Sequence, residues 1–484
     1  MKKSTGVLGV VVVLGAAYVG TSWYTGVQAQ KTLEAAVVQA NENLASWLSG
    51  DPTADAQEAS PARLDIDKYE RRLFSSDVLY TLRINDEDGG TIELALKDHL
   101  LHGPFPLDAL REGYLLPLMA SSKAQLVATP STQAWMDSQK GGSPLHINTR
   151  VGFGGTGQSS WNFQPVELSS EDLQFSFSGG TLTVDLHNDF QSGESSGQFQ
   201  ALSLKDMESG DVLQLKDIEL KSNTLSGENQ VIQTRSNATI AAVVMSSPGT
   251  DDVSLEQINV SVDSEQAKAM LNGSAHYDFG RILVGKTDMG SLSLTARVQQ
   301  LDTEALTALA TDYEAIAARH GGEIGQEEAL SAEEAQLLHD RLAAVLASAP
   351  SIAIDSLIWK NVKGESKAGL QVNLTKPEGS KADSIDALFM EGLKLIKFDL
   401  NLSKPMFIHA FSQAETDAEK KLQMEILGAM IYDQYVNRLQ MAGLIQADVE
   451  AATAAVVYEQ DNVTVNGKTM SVPEFMQRIF SVVM

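Results

Sequence analysis

The sequence predicts an α+β protein: a single N-terminal transmembrane helix followed by a β-rich body built on an extended antiparallel sheet with a few packing helices. Three observations lead there. Residues 6–23, GVLGVVVVLGAAYVGTSW, carry no charge. Between residues 78 and 300, segment after segment alternates apolar and polar side chains, the period of a strand with one buried face. Stretches with helical spacing are few beside those strands, which is the pattern of helices packed onto a sheet.

The anchor comes first. Eighteen residues at helical rise measure about 27 Å, against a hydrocarbon core of about 30 Å, so Gly6 to Trp23 just span it. Lys2 and Lys3 precede the run and the next charge is Lys31, so the N-terminus stays in the cytoplasm and the body lies outside. Val27-Gln28-Ala29 also fits a signal-peptide cleavage site, after which the mature chain would begin at Gln30. Trp23 and Tyr24, aromatic rings at the outer end of the span, favour a retained anchor built on Gly6, Val13, Tyr18, Trp23 and Tyr24.

After the anchor (1–26), residues 27–60 read as a juxtamembrane helix and a linker, with Leu33, Val37, Leu44 and Leu48 at helical spacing before Asp51-Pro52 and Ser60-Pro61. Residues 61–301 form the β-rich region. Val78, Tyr80, Leu82 and Ile84 alternate, as do Ile92, Leu94 and Leu96 beyond Gly89-Gly90, which predicts a hairpin. A helix is expected over 106–121, and strands then follow to residue 300. Residues 302–350 are an acidic helical insert whose segment 302–349 has ten acidic and two basic residues; Ser331 and Glu334 make a capping box and Pro350 stops its second helix. Residues 351–484 resume the body with strands, a long helix over 405–442, a hairpin at Asn466-Gly467 and a terminal helix.

Composition excludes several chemistries. A net charge of −27 leaves no basic surface to release counterions from nucleic acid, so no nucleic-acid partner is expected. The absence of cysteine removes thiol catalysis, Cys-ligated zinc and disulfides. The eight histidines are scattered except for His99 and His102, which three residues apart on a strand point to opposite faces and cannot share an ion. Arg150-Val-Gly-Phe-Gly-Gly-Thr-Gly lacks the Lys-Ser/Thr of a phosphate loop and reads as a turn. No motif locates a catalytic, cofactor or metal site, and the expectation is a protein that is not an enzyme.

One set of motifs does carry a resemblance. WYTG at 23–26, YERRLFSS at 69–76, HGPFPL at 102–107, NTRVGFGG at 148–155, FSGG at 177–180, IAIDSLIWKNVKGES at 352–366 and VTVNGKTMSVPEF at 463–475 occur in the order found in the YdgA family. The chain resembles these inner-membrane-anchored envelope proteins of Gram-negative bacteria from end to end. The resemblance implies a periplasmic body on one anchor and self-association as a homodimer, and it implies no reaction, because the family's function is unknown. Its motif residues His102, Gly103, Pro104, Phe105, Pro106 and Trp359 read physically as structural: glycine and prolines end a strand, Pro106 opens the next helix and Phe105 plugs the corner.

Two functions remain in view. One is a non-enzymatic structural or interaction protein of the envelope. The other is an apolar groove that binds or transfers lipid, lined by same-face residues such as Phe175, Phe177, Leu182 and Val184; here the sheet has more apolar surface than its helices cover. A structural module would bury that surface under the helices of 302–349 and 405–442.

Overall fold

The computed structural model describes residues 21–41 (apart from 23, 32, 36 and 39), 62–85, 90–138, 142–169, 172–187, 192–227, 231–320, 330–377, 384–415, 417–459 and 461–483. The anchor residues Gly6, Val13, Tyr18 and Trp23 lie outside them. No helix among the described residues is long and apolar enough to cross a membrane. These residues fall into two compact units, one holding residues 1–208 and 218–226 and the other 209–217 and 227–484.

The first unit opens with helix α1 over residues 21–41. An antiparallel meander follows: β1 (Ala62–Arg71), β2 (Ser75–Asn85), β3 (Thr91–His102), a single-turn α2 (Leu107–Arg111), β4 (Leu118–Val127), α3 (Gln133–Ser138), β5 (Leu145–Gly152) and β6 (Gly157–Phe163). β7 (Val166–Ser169), β8 (Leu173–Phe177), β9 (Gly180–His187) and β10 (Ser192–Asp206) extend it. Each strand pairs with its successor up to β6, and β2 and β3 form the predicted hairpin, with Leu82 facing Leu94. β9 then pairs with β6 and β10, and β8 with β7 and β10. Sequential pairing of this kind follows from alternation punctuated by short turns.

The helix expected over 106–121 is confined to α2. Gly113 sits at φ 83, the left-handed conformation that ends helices, and Pro117 lies just before β4. Phe105 does not plug the corner. It is 37% exposed, and the buried members of the motif are His102, Gly103 and Pro106.

Strand β11 (Val212–Ser226) precedes the long strands of the second unit: β12 (Val231–Ser246), β13 (Val253–Ala267), β14 (Met270–Val284) and β15 (Thr287–Asp302). The insert forms α4 (Thr303–Arg319) and α5 (Ala332–Ala347), the latter opened by the Ser331–Glu334 capping box. After β16 (Ser351–Asn361) and β17 (Gly364–Leu374) come α6 (Ile385–Gly392), β18 (Leu393–Ser403), α7 (Lys404–Ser412) and α8 (Ala418–Met441). The chain closes with β19 (Gln446–Ala447), β20 (Ala451–Glu459), β21 (Asn462–Val465), β22 (Lys468–Ser471) and α9 (Val472–Val483). Strands β12 to β18 pair in sequence order and β18 pairs with β20. The single helix expected over 405–442 is two, because Asp417 caps a fresh start by accepting from the backbone N–H of Glu419 and Lys420. Asn466 and Gly467 both take positive φ, as their tight turn requires.

Candidate functional site

Two places compete for a function: the corner that holds the HGPFPL motif in the first unit, and the apolar sheet face of the second. At the corner, alternation along β3 puts Asp98, Leu100 and His102 on the face that α1 covers, with Ala29 packed against Leu100 and Ala120. The Ser22 and Thr25 hydroxyls donate to the Gly103 carbonyl at 2.6 and 3.2 Å. Gly26 lies against the His102 ring so closely that a Cβ there would meet it at 2.5 Å. His102 Nδ1 is 3.3 Å from the Leu73 carbonyl, which only accepts, so Nδ1 carries the proton and Nε2 accepts from the Ser76 hydroxyl at 2.8 Å.

A serine bonded to a histidine is also how a nucleophile and its base are arranged. Here Ser76 is 0% and His102 1% exposed, and no substrate reaches them. The buried carboxyl nearby, Asp98, takes its hydrogen bonds from Ser122 at 2.6 Å and Tyr80 at 3.3 Å. Burial pushes the Asp98 pKa up and the His102 pKa down, so both groups resist charging. The corner is a satisfied polar core that fastens α1 to the sheet. His99, on the other face, bonds Asp77 at 2.7 Å. Tyr24 of the anchor motif is 56% exposed, and its hydroxyl accepts from Gln28 at 2.8 Å.

In the second unit the registers line up apolar side chains across neighbouring strands. Ile258, Phe279, Leu292 and Trp359 form one row from β13 to β16. Val260, Tyr277, Leu294, Leu357, Ala368 and Leu400 form the next, reaching β18. Val262, Ala275, Ala296, Ile354, Leu370 and Phe398 form a third. The opposite face is polar: Arg235 pairs with Asp263 at 2.6 Å, Arg297 with Asp355 at 2.8 Å, and His276 meets Thr295 at 3.0 Å.

The helices sit at the two ends of these strands. At one end Thr303 of α4 bonds the Ala269 carbonyl at 2.8 Å, and Leu346 of α5 packs on Gly392. At the other, Asn361 donates to the Met406 carbonyl at 3.2 Å, and Tyr432 of α8 donates to Leu402 at 3.1 Å above Phe398, Leu400 and Phe407. Between them the described residues leave the face open. Val262 is 36%, Leu357 38%, Leu370 38% and Ile352 52% exposed.

A cavity of about 420 Å³ opens on this face, lined by Ile282, Leu292, Leu357, Trp359, Ser366, Lys367, Ala368 and Leu400. Trp359, singled out by its motif, donates its indole N–H to the Met289 carbonyl at 2.9 Å, which fixes its ring in the lining. Lys367 is the one charged residue among these, and alternation between Ser366 and Ala368 turns its side chain to the polar face. Such a surface takes up hydrocarbon by burial and offers no paired acid and base for a reaction. A second cavity, in the first unit, has His146 as its one titratable lining residue. No group of three metal-ligating side chains converges among the described residues.

Phe175, Phe177, Leu182 and Val184, the lining expected of a groove, belong instead to the first unit. Phe177 packs there with Phe163 and Phe199, ring centres 6.4 and 6.0 Å apart. The more open face, missed by that expectation, was signalled by the alternation of Ile396, Phe398 and Leu400, which β17 sets in line with Ile352, Ile354 and Leu357.

Comparison with known proteins shows the family and names no activity. The family described as bacterial protein of unknown function, DUF945, matches residues 1–473. Protein YdgA of Escherichia coli K12 is 27% identical over 98% of this chain and 96% of its own length. The uncharacterized protein YihF of the same organism is 25% identical over 97% of each chain, and an uncharacterized Haemophilus influenzae protein is 29% identical over 39% of this chain and 49% of its own. No solved structure matches. The chain belongs to the DUF945 family.

Proposed function

We propose that this DUF945 member is a non-enzymatic protein of the cell envelope, anchored in the inner membrane by residues 6–23, whose second unit binds acyl chains on its open apolar sheet face. The observation that carries the reading is the set of three apolar rows whose middle no helix among the described residues covers. At about 4.8 Å per strand, the row from β13 to β17, short of the β18 residues under α8, runs about 19 Å, longer than the roughly 15 Å of hydrocarbon in one leaflet. A hydrocarbon tail laid across the strands fits that length. The uncharged run, its basic N-terminal flank and Trp23 with Tyr24 support the anchor, with the N-terminus cytoplasmic and the body periplasmic.

A photoreactive amino acid at position 357 or 370, on the apolar face, tests this against one at 295 on the polar face. In cells fed radiolabelled acetate, lipid label is expected at 357 and 370 and absent at 295. Equal labelling at all three, or none, sinks the reading.

A specific observation favours self-association as a second property. On α8, Leu422, Ile426 and Met430 recur every four residues at 58, 53 and 65% exposure, a stripe suited to a second copy. Light scattering on detergent-extracted protein would then report a dimer that Ile426→Lys converts to monomer; an unchanged mass would discard this stripe as the interface.

A further inference from the structure

The up-and-down order of the first unit gathers three connections at one end of its sheet. His102 N–H bonds the Phe74 carbonyl, Gly103 N–H the Met119 carbonyl, and Leu118 pairs with Gly152, so the β1–β2, β3–β4 and β5–β6 connections are neighbours. They expose large apolar side chains: Leu73 at 42%, Phe105 at 37%, Leu107 at 61%, Leu115 at 73%, Leu116 at 65% and Phe153 at 54%. Monomeric surfaces do not usually concentrate residues of this kind on loop tips.

Charge sharpens the pattern. In a chain of net charge −27, the described residues of these connections and the strand starts beside them carry three carboxylates, each of them held. Asp77 pairs with Arg72 and His99, Asp108 accepts from Ser121, and Glu112 pairs with Lys123 and Arg150. Arg111 is exposed beside Leu107. The β2–β3 connection, which joins the opposite ends of its strands, reads Asp86-Glu87-Asp88.

Ser22 and Thr25 bond Gly103 here, so Thr21, the first described residue after most of the uncharged run, lies at this end. We infer that these three connections form a membrane-contact platform, whose leucines and phenylalanines dip into the headgroup boundary of the bilayer that holds the anchor. The inference rests on the proposed anchor for its orientation. Apolar tips flanked by arginine, with the carboxylates already paired, suit that boundary. A body seated in this way is held against the bilayer by its own loops as well as by its tether.

The chain has no cysteine, so single cysteines carrying an environment-sensitive fluorophore test the platform in full-length protein reconstituted into vesicles of brominated phospholipid. Leu116→Cys reports the platform, Val13→Cys the anchor, and Gln133→Cys the opposite end of the unit. The expected result is strong quenching at 116 and 13 with none at 133. Quenching at 13 without quenching at 116 overturns the platform and leaves the anchor standing. Quenching at 116 but not at 13 supports the platform and sinks the anchor. Quenching at 133 equal to that at 116, or none at any site, overturns the platform.

Discussion

In the first unit the amphipathic side of β2 to β4 lies under α1, and even its polar groups are satisfied there, Ser76 by His102 and Asp98 by Tyr80 and Ser122. In the second unit the same alternation, repeated on longer strands, faces outward between two groups of helices, with Leu357 and Leu370 each 38% exposed. Apolar alternation is thus common to both, and cover is what separates a core from an exposed apolar face. A covered face is intolerant of new atoms, whereas an open face tolerates them and loses only what it binds.

The largest expected effect is at the covered face. A Cβ at Gly103 would come within 1.8 Å of the Leu118 carbonyl, so Gly103→Ala forces the backbone apart and is expected to destabilise the protein by about 3 kcal/mol, read by denaturant unfolding. Gly26→Ala presses on the imidazole, which has some room to give, and about 1–2 kcal/mol is expected. An unchanged stability in Gly26→Ala would mean that α1 does not fasten this corner, and in Gly103→Ala that β4 does not press on Gly103.

Acid gives a smaller, signed effect. The His102 pKa is held below its ordinary 6.5 by burial, against the opposing pull of the Leu73 carbonyl, so the unfolded chain takes up this proton first. The neutral ring's contribution is complete above about pH 6.5 and is lost as pH falls through that value toward the folded pKa. Asp98 has the opposite sign, since its raised pKa costs stability as pH rises above the ordinary carboxylate range. Comparing wild type with His102→Gln isolates the imidazole: the stability advantage of wild type is expected to shrink between about pH 7 and pH 5. A constant advantage would show that the ring titrates normally.

The smallest effect on stability belongs to the open face. Leu357→Glu is expected to cost about 1 kcal/mol or less, because the side chain is already partly in water, yet to abolish retention of acyl chains. A loss of several kcal/mol would mean that the face is buried in the working protein.

Much of the β architecture was legible because alternation and turn residues act locally: the β2–β3 hairpin, the Ser331 capping box and the Asn466-Gly467 turn all follow from neighbours in sequence. What failed depended on competing local signals or distant partners. Leu110, Leu115 and Leu118 mimic a helix stripe, but Gly113 breaks it and hands Leu118 to β4. Phe105 was expected inside because large aromatics bury well, whereas the corner is filled by a histidine whose partner, Ser76, lies 26 residues away. An excess of apolar surface over helices was visible in the sequence. Its location was not, since which face the helices leave open depends on where α4, α5, α7 and α8 dock rather than on any strand's own pattern.

The central claim is that the open face of the second unit carries hydrocarbon. Native mass spectrometry with lipid analysis, on full-length protein extracted from membranes in mild detergent, tests it most directly. The account predicts acyl lipid retained in stoichiometric amount by the wild type and absent from Leu357→Glu. Lipid-free wild-type protein, or equal retention by the variant, would contradict it.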